Sequence, residues 1–167
     1  MTIRLATVSD AASVGRVHVE SWRVAYRGIM PDEKIARMDL PTRTAFWTER
    51  IAVREWPVFV VEERGQVVAF CHMIPSPDPD DDAKKTGHIT SIHVLPGLRS
   101  HGHGRALLAQ AFAEFRRRGY AEVTLWVLEG NASARQFYEK VGFQEDGGRK
   151  TYLGTEVPEV RYRIGLR

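Results

Sequence analysis

The sequence predicts one α/β or α+β domain in which helices lie on the faces of a mixed β-sheet. Hydrophobic spacing switches along the chain and gives the order strand, helices, two strands, strand, helix, strand, helix, two strands. The chain has 167 residues, 43% of them apolar, which suits a single core. Because neither a repeat nor a linker interrupts it, we expect one domain over residues 1–167.

The N-terminal third is predicted to form one strand and three helices. Ser9 and Asp10 offer an N-cap for the first helix. Apolar residues recur at helical spacing to about Tyr26, and Gly28 and Pro31 then break the helix. The expected boundaries are Thr2–Leu5 for the strand and about Asp32–Met38 and Pro41–Arg54 for the second and third helices.

The remainder alternates strands with two helices. Arg64-Gly65 is a plausible hairpin turn, Pro75–Lys85 reads as an exposed loop, and Gly119 and Gly142 are predicted to end helices. Asn131 is expected to cap the last helix. The expected strands are Pro57–Glu62, Val67–Ile74, Ile89–Val94, Val123–Leu128, one from Phe143 and Val160–Ile164, and the first of these helices is Gly104–Arg118.

Composition excludes several classes of protein. The formal net charge of +3 is mild, and the densest basic patch, Arg116–Arg118, is too short for a nucleic-acid-binding stripe. No apolar run reaches the ~20 residues of a membrane-spanning helix, and we find no signal peptide, so we expect a cytoplasmic protein. Cys71 is the only cysteine, which excludes an internal disulfide, and we expect it to serve packing.

The most informative segment lies between a predicted strand and a predicted helix, at residues 99–104. Glycines at positions 102 and 104 let the main chain turn tightly, so that successive amide N–H groups face one anion at the positive end of a helix. Arg99 and Arg105 add positive charge. This chemistry suits a pyrophosphate, although a glycine-rich turn alone is weak evidence. The segment is neither a Walker A loop nor a complete G-x-G-x-x-G motif.

Two motifs together resemble the GNAT family of N-acetyltransferases. The first is the strand with V-x-P at Val94–Pro96, followed by R-x-x-G-x-G at Arg99–Gly104 and a helix. The second is N-x-x-A-x-x-F-Y-x-x-x-G-F at Asn131–Phe143. Because the element order also matches, the resemblance covers nearly the whole chain. It implies a mostly antiparallel central sheet of six to seven strands, flanked by helices and splayed at strands 4 and 5.

The resemblance implies acetyl-CoA as cosubstrate, with its pantetheine arm between the splayed strands. The N–H near Val94 would then donate a hydrogen bond to the acetyl carbonyl oxygen. The same donor would stabilise the oxyanion when an amine attacks the thioester directly through a tetrahedral intermediate. The cofactor-binding residues implied are His93, Val94, Arg99, Ser100, His101, Gly102, His103, Gly104, Arg105, Asn131 and Tyr138.

Tyr138 matches the tyrosine that many family members use as general acid. A phenol with a pKa near 10 holds its proton at neutral pH and can donate it to a thiolate. The alternative is a core aromatic residue beside Phe137. Asn131 is expected to cap its helix and, by similarity, to lie near the cofactor arm.

The general base stays open between three alternatives. Many relatives carry a glutamate where this chain has His88, and an imidazole could replace it because it titrates near neutral pH. His93 is the second candidate, although strand alternation places it on the face opposite His88 unless a bulge intervenes. The third alternative is a chain of water molecules.

The resemblance places the amine acceptor beside the first helices. Trp22 and Tyr26 are four residues apart and share a helix face, so they form either a packed face or a wall of the acceptor pocket. The aspartates at 78, 80, 81 and 82 could attract a cationic acceptor, but we expect a solvated loop. The sequence does not name the acceptor: a small amine, a peptide N-terminus or a lysine all fit.

Other partners and functions are weighed against this one. We expect no metal site, because positions in the phosphate-binding loop already account for His101 and His103. We also expect no nucleic-acid binding, because the basic residues form no clear stripe. A homodimer stays open, since many relatives dimerise through terminal strands. The main alternative function is a catalytically weak module that binds or senses acetyl-CoA, which the missing glutamate at His88 mildly favours.

Overall fold

A computed structural model describes residues 1–167. Its strands and helices follow the predicted order, with boundaries within a few residues of those expected. The α-helices are α1 (Ala11–Ala25), α2 (Asp32–Ala36), α3 (Leu40–Ala52), α4 (His103–Arg117) and α5 (Ala132–Val141). The strands are β1 (Thr2–Leu5), β2 (Val58–Glu63), β3 (Gln66–Pro75), β4 (Thr86–Val94), β5 (Glu122–Leu128), β6 (Gln144–Thr151) and β7 (Pro158–Gly165).

The seven strands form one sheet in the order β1-β2-β3-β4-β5-β7-β6. The pairings β1–β2, β2–β3, β5–β7 and β6–β7 are antiparallel, and β4–β5 is parallel. β4 and β5 pair only over Thr86–Ile89 and Glu122–Leu125, although both strands continue beyond these residues. The predicted mixed, mostly antiparallel sheet with a splay at its fourth and fifth strands is therefore confirmed.

The chain divides into two compact units. Unit 1 comprises Met1–Met73 and Ser91–Ala111. In unit 1 the helices α1 and α3 pack on each other, and their apolar faces form a core with residues of β2 and β3. This core fixes the position of α1, and with it the positions of His18 and Ser21, which are also buried residues of α1. The buried core residues are Ala11, Val14, Val17, Trp47, Ile51, Val58, Val60, Val67 and Phe70.

Unit 2 comprises Ile74–Thr90 and Phe112–Arg167. Its β4 segment carries Gly87, where an added Cβ would lie 2.2 Å from Cε1 of Phe115. Only glycine therefore lets the Phe115 ring pack directly on this strand. On α5, the ring of Tyr138 packs against Phe143, which is 1% exposed.

The predicted turns and helix ends are confirmed. Arg64 and Gly65 both have positive φ, 51° and 75°, as a two-residue hairpin turn requires. Gly119 follows α4 with φ 86°. Gly142 follows α5 with φ 112°, and the next residue, Phe143, donates its N–H to the Tyr138 carbonyl at 3.0 Å, as in a Schellman motif.

The predicted cap of the first helix is confirmed in position only, because Asp10 is the N-cap residue of α1 but its side chain makes no capping hydrogen bond. A 3₁₀ turn at Val8–Asp10 precedes α1, and neither Ser9 nor Asp10 caps α1 with its side chain. Instead the Asp10 carboxylate accepts the Thr7 N–H at 2.8 Å and two bonds from Arg4. Arg4 first, and then Thr7, lower the pKa of Asp10 to about 2 against the opposing effect of burial. None of the helices is long and apolar enough to cross a membrane.

Candidate functional site

The segment singled out in the sequence forms a tight loop at the start of α4. A 3₁₀ turn at Pro96–Leu98 leads into it. Ser100 has φ 68° and Gly102 has φ 86°, whereas Gly104 already lies in the first turn of α4. Ser100 is the unexpected feature, because a non-glycine residue in the left-handed region carries strain that often marks functional loops.

The main chain of this loop offers hydrogen-bond donors to an anion. The first hydrogen bond of α4 runs from the Ala106 N–H to the Gly102 carbonyl at 3.0 Å. Helix geometry leaves the preceding amides without an intrahelical acceptor, at the positive end of the helix dipole. The amides that precede Ala106 are therefore available to an anion, and that the anion is a phosphate stays a prediction.

The two loop histidines have different surroundings. The exposed His101 places Nδ1 2.9 Å from the Arg99 carbonyl. His103 is 3% exposed, with Nδ1 3.2 Å from Sδ of Met1 and Nε2 3.5 Å from the Glu63 carboxylate. Its buried Nε2 has no hydrogen-bond partner. The side chain of His103 thus contacts Met1 and Glu63, so only the main chain of His103 is available to an anion in the loop.

His93, near the end of β4, belongs to a cluster of neutral rings in unit 1. Its Nδ1 lies 2.8 Å from Oγ of Ser21, and its ring stacks on His18 with centroids 4.8 Å apart. Burial, and then the nearby His18 and Arg99, hold the pKa of His93 well below its usual value of 6.5. His93 is nevertheless half-buried rather than fully enclosed. It is a neutral imidazole at physiological pH.

His18 extends the cluster into the core. Nε1 of Trp47 donates to Nδ1 of His18 at 3.0 Å, so the proton of this neutral imidazole is on Nε2. Burial first, and then Arg43, lower the pKa of His18 to about 4. The ring of Phe70 lies 5.5 Å from His93 and 5.8 Å from His18.

The predicted acceptor residues lie at the end of α1. Trp22 and Tyr26 form an edge-to-face pair with centroids 4.7 Å apart, which confirms that they share a face. Trp22 is only 4% exposed, whereas Tyr26 is half-buried. The neighbouring Ser21 carbonyl lies 3.5 Å from the Arg99 guanidinium. This end of α1 therefore contacts Arg99, the first residue of the loop at residues 99–104, which is called the phosphate loop below.

In unit 2, Asn131 and Tyr138 occupy the start and the body of α5. The Asn131 side chain accepts the Ala134 N–H at 3.2 Å, so the predicted cap is confirmed. Tyr138 is 8% exposed, and its ring lies within 6.3 Å of the rings of Phe137, Phe143 and Tyr162. Its ring packs in an aromatic cluster, as the core interpretation expects, which is compatible with a role for its hydroxyl.

His88 is buried in unit 2. Its Nδ1 lies 3.0 Å from Oγ1 of Thr124, which donates to the Gly87 carbonyl at 3.3 Å. Burial is the main reason that its pKa falls to about 4. The two base candidates therefore belong to different units, and each is hydrogen-bonded to a hydroxyl.

The expectation of a solvated acidic loop holds only in part, because Asp80 and Asp82 are exposed whereas Asp78 and Asp81 are not. Asp78 and Asp80 pair with Arg161, at 3.3 and 2.6 Å, and Asp81 pairs with Arg163 at 2.7 Å. The side chains of Asp78 and Asp81 are only 12% and 4% exposed. These carboxylates bind arginines of β7, so they are engaged in structure rather than free to attract a cation.

Cys71 is confirmed as a packing residue. It is fully buried in β3, and burial raises the pKa of its thiol to about 12, which leaves no thiolate at neutral pH. No group of three or more His, Cys, Asp or Glu side chains is placed to hold a metal ion.

Sequence reasoning missed Ser21 and His18 as neighbours of His93, and it did not predict the backbone conformation of Ser100. Ser21 and His18 are three residues apart on α1, a spacing that puts them on one helix face. That spacing was the available signal, but their contact with His93 joins residues 72 positions apart and is not visible locally. The positive φ of Ser100 had no sequence signal.

Comparison with known proteins gives the family. The chain belongs to the acetyltransferase (GNAT) family, whose model matches residues 19–143. As a member of this family the chain is an acyltransferase.

Individual relatives agree with this membership. The chain is 28% identical to the probable N-acetyltransferase Rv2775 of Mycobacterium tuberculosis, over 97% of this chain and 92% of the relative. Its fold matches the YncA protein of Salmonella typhimurium, solved with its cofactor acetyl-CoA, at TM-score 0.75 and 24% identity, covering 100% and 94% of the two chains. It also matches PaiA N-acetyltransferase of Thermoplasma acidophilum, solved with coenzyme A, at TM-score 0.74 and 17% identity, covering 99% of both.

Proposed function

We propose that the protein transfers the acetyl group of acetyl-CoA to a primary amine on a small molecule, a peptide N-terminus or a lysine. The observation that carries this proposal is the loop at residues 99–104, with positive φ at Ser100 and Gly102 directly before α4. Such a loop presents unpaired amides to a diphosphate at a helix N-terminus.

The residues of the loop fit the diphosphate of coenzyme A. Main-chain amides of residues 100–105 would hold the phosphates, with countercharge from Arg99 and Arg105. Acetyl-CoA would supply the acetyl group as a thioester. His93, Val94 and Asn131 are the further contacts proposed, with the Val94 N–H as the donor that stabilises developing negative charge on the acetyl oxygen.

Tyr138 is proposed as the proton donor to the leaving thiolate. A phenol is the type of group that can donate a proton to a thiolate. The packing of its ring against Phe143 fixes the direction of the side chain, which supports a positioned donor.

The proton acceptor for the amine is proposed among His88, His93 and a water chain. Both imidazoles are neutral at physiological pH because burial lowers their pKa values. A neutral imidazole has the lone pair that an acceptor needs, although a low pKa makes it a weak base. The acceptor itself is proposed to bind beside Tyr26, with Trp22 supporting that ring.

The second candidate function is a module that binds acetyl-CoA with little turnover. One observation favours it: His88, at the position where many relatives carry glutamate, is buried and hydrogen-bonded to Thr124, with a pKa of about 4. Its burial leaves an incoming amine little access to this imidazole.

We further propose that residues 1–167 act as one N-acetyltransferase domain in the cytoplasm, without nucleic acid, with a homodimer as the alternative to a monomer. The family match across both units supports the single domain. Sedimentation equilibrium would decide the oligomeric state.

The deciding experiment is thiol release from acetyl-CoA in the presence of amines, amino acids, antibiotics and peptides. Amine-dependent release supports the transferase. Coenzyme A binding without release from any acceptor supports the binding module, and neither binding nor release would refute both.

A further inference from the structure

Ser21 and His93 form a pair that decides where the proton of His93 sits. The Ser21 hydroxyl has one proton, and its geometry allows donation to the His18 carbonyl at 3.2 Å, one turn earlier on α1. Serine in a helix commonly makes this backbone bond. With its proton so used, Oγ can only accept from His93 Nδ1, which lies 2.8 Å away.

The geometry points to Ser21 as a positioning residue that holds His93 with its proton on Nδ1 and a bare lone pair on Nε2, making His93 the proton acceptor for the amine. This inference rests on the proposed transferase function. It selects one of the base candidates and adds a residue that motif comparison did not supply.

The surroundings of the pair support this assignment. His18 stacks on one face of the His93 ring, and its own proton is held on Nε2 because Trp47 donates to its Nδ1. Both rings are therefore fixed in orientation and protonation. Ser21 is 2% exposed, so water does not compete with His93 for its hydroxyl.

The same hydroxyl arrangement occurs at His88, and access distinguishes the two histidines. Thr124 holds Nδ1 of His88 as Ser21 holds Nδ1 of His93. His88 is only 6% exposed, however, whereas His93 is half-buried. Through its carbonyl, Ser21 also contacts Arg99 of the phosphate loop, so the pair lies beside a residue proposed to bind the cosubstrate.

The first test is the ring ¹⁵N NMR spectrum of His93 in the free wild-type protein, which reports which nitrogen carries the proton. We expect Nδ1–H and a bare Nε2. Ser21→Ala should shift the population towards Nε2–H, and Ser21→Thr, which restores a hydroxyl, should return it. A wild-type His93 protonated on Nε2 overturns the inference, and this result needs no variant to fold and no acceptor to be known.

The second test is turnover with whichever acceptor the thiol-release panel identifies. Ser21→Ala should lower kcat about ten-fold with the KM for acetyl-CoA unchanged. The reason is that the Nε2–H tautomer of His93 has no lone pair on Nε2 with which to accept the proton of the amine. In a His93→Gln background the same change should have no further effect. Persistence of the ten-fold loss in that background contradicts a role exerted through His93.

Thr124→Val is the matched comparison, because it removes the equivalent hydroxyl from His88. We expect it to lower kcat by less than Ser21→Ala does, and a larger loss would assign the acceptor to His88 and overturn the inference. If no amine is acetylated, the proposed function fails, while the NMR result still decides whether Ser21 sets the tautomer of His93.

Discussion

Buried histidines are concentrated in unit 1, whereas unit 2 buries a single neutral histidine, His88, beside a network of arginine–aspartate ion pairs. In unit 1, His18, His72 and His93 lie among aromatic rings such as Trp47 and Phe70, and burial lowers the pKa of each. They are kept neutral. In unit 2, Arg161 and Arg163 bind aspartates of the acidic loop and of β6, and these groups are kept charged.

The charged cluster of unit 2 links distant parts of the chain. Arg161 contacts Asp78, Asp80 and Asp146, and its guanidinium lies 5.5 Å from the Trp126 ring. Arg161 lowers the pKa of the exposed Asp80 to about 2. Neutral imidazoles suit proton transfer, whereas paired charges attach a loop to a strand. The difference indicates that acid should destabilise unit 1 through its buried histidines, and that the ion pairs of unit 2 hold its acidic loop against β7.

Acidification should have the largest effect and should act through the imidazoles first. His18, His72 and His88 have folded pKa values of about 4, below the ordinary 6.5. Between these values the unfolded chain binds more protons, so stability is complete above pH 6.5 and is lost as the pH falls towards 4. When the pH is lowered from 7.5 to 5, each of these three histidines should reduce the free energy of unfolding by about 2 kcal/mol.

Urea unfolding at a series of pH values measures this loss. His72→Gln, which cannot titrate, should flatten the dependence between pH 6.5 and 4. The carboxylate of Asp80 should respond only below about pH 4. A stability that stays constant down to pH 4.5 would show that the imidazoles are not held neutral by the fold.

Removing Arg161 should have the next largest effect. Arg161→Met leaves the part-buried Asp78 without its cationic partner and Asp146 with Arg163 alone, and loss of one member of a buried ion pair typically costs about 3–5 kcal/mol. The matched control is Arg149→Gln, because Arg149 pairs with Glu129 at the surface and is 61% exposed. That pair should contribute about 0–1 kcal/mol. Equal losses in the two variants, measured by urea unfolding, would refute a structural role for the charged cluster.

Tyr138→Phe should separate chemistry from architecture within unit 2. Loss of the proton donor should reduce kcat by about 10²-fold while acetyl-CoA affinity and the unfolding midpoint change little. Tyr120→Phe makes the same chemical change where the ring packs on Phe115, and should leave turnover close to wild type. Unchanged turnover of Tyr138→Phe under saturating acetyl-CoA would leave Tyr138 as a core aromatic residue.

Local sequence signals predicted most of the fold. Hydrophobic spacing and turn residues predicted every strand and every α-helix. The Arg64-Gly65 pair predicted a hairpin, and Gly142 predicted the end of α5. Each of these features depends on residues close together in the chain. Two parts of the candidate site, the loop at residues 99–104 and the confirmed Asn131 cap, are likewise local features, and the binding roles assigned to them stay predictions.

Features that depend on distant contacts were not predictable in this way. The acidic loop has the composition of a solvated segment, but Asp80 meets Arg161 from 81 residues away. Ser21 similarly meets His93 across 72 residues. In both cases tertiary pairing overrides what the local composition indicates, and no spacing rule connects the partners.

The phosphate loop carries the central claim, and calorimetric titration with coenzyme A tests it most directly. Wild type should bind with a Kd between about 1 μM and 1 mM, and Gly102→Ala should weaken binding about ten-fold because alanine resists the positive φ of 86°. Gly97→Ala is the matched control, since a Cβ at either glycine meets no atom within 4 Å and Gly97 has no positive φ. The account predicts weakened binding for Gly102→Ala alone. Absence of binding to the wild type at millimolar coenzyme A, or equal weakening in both variants, would contradict it.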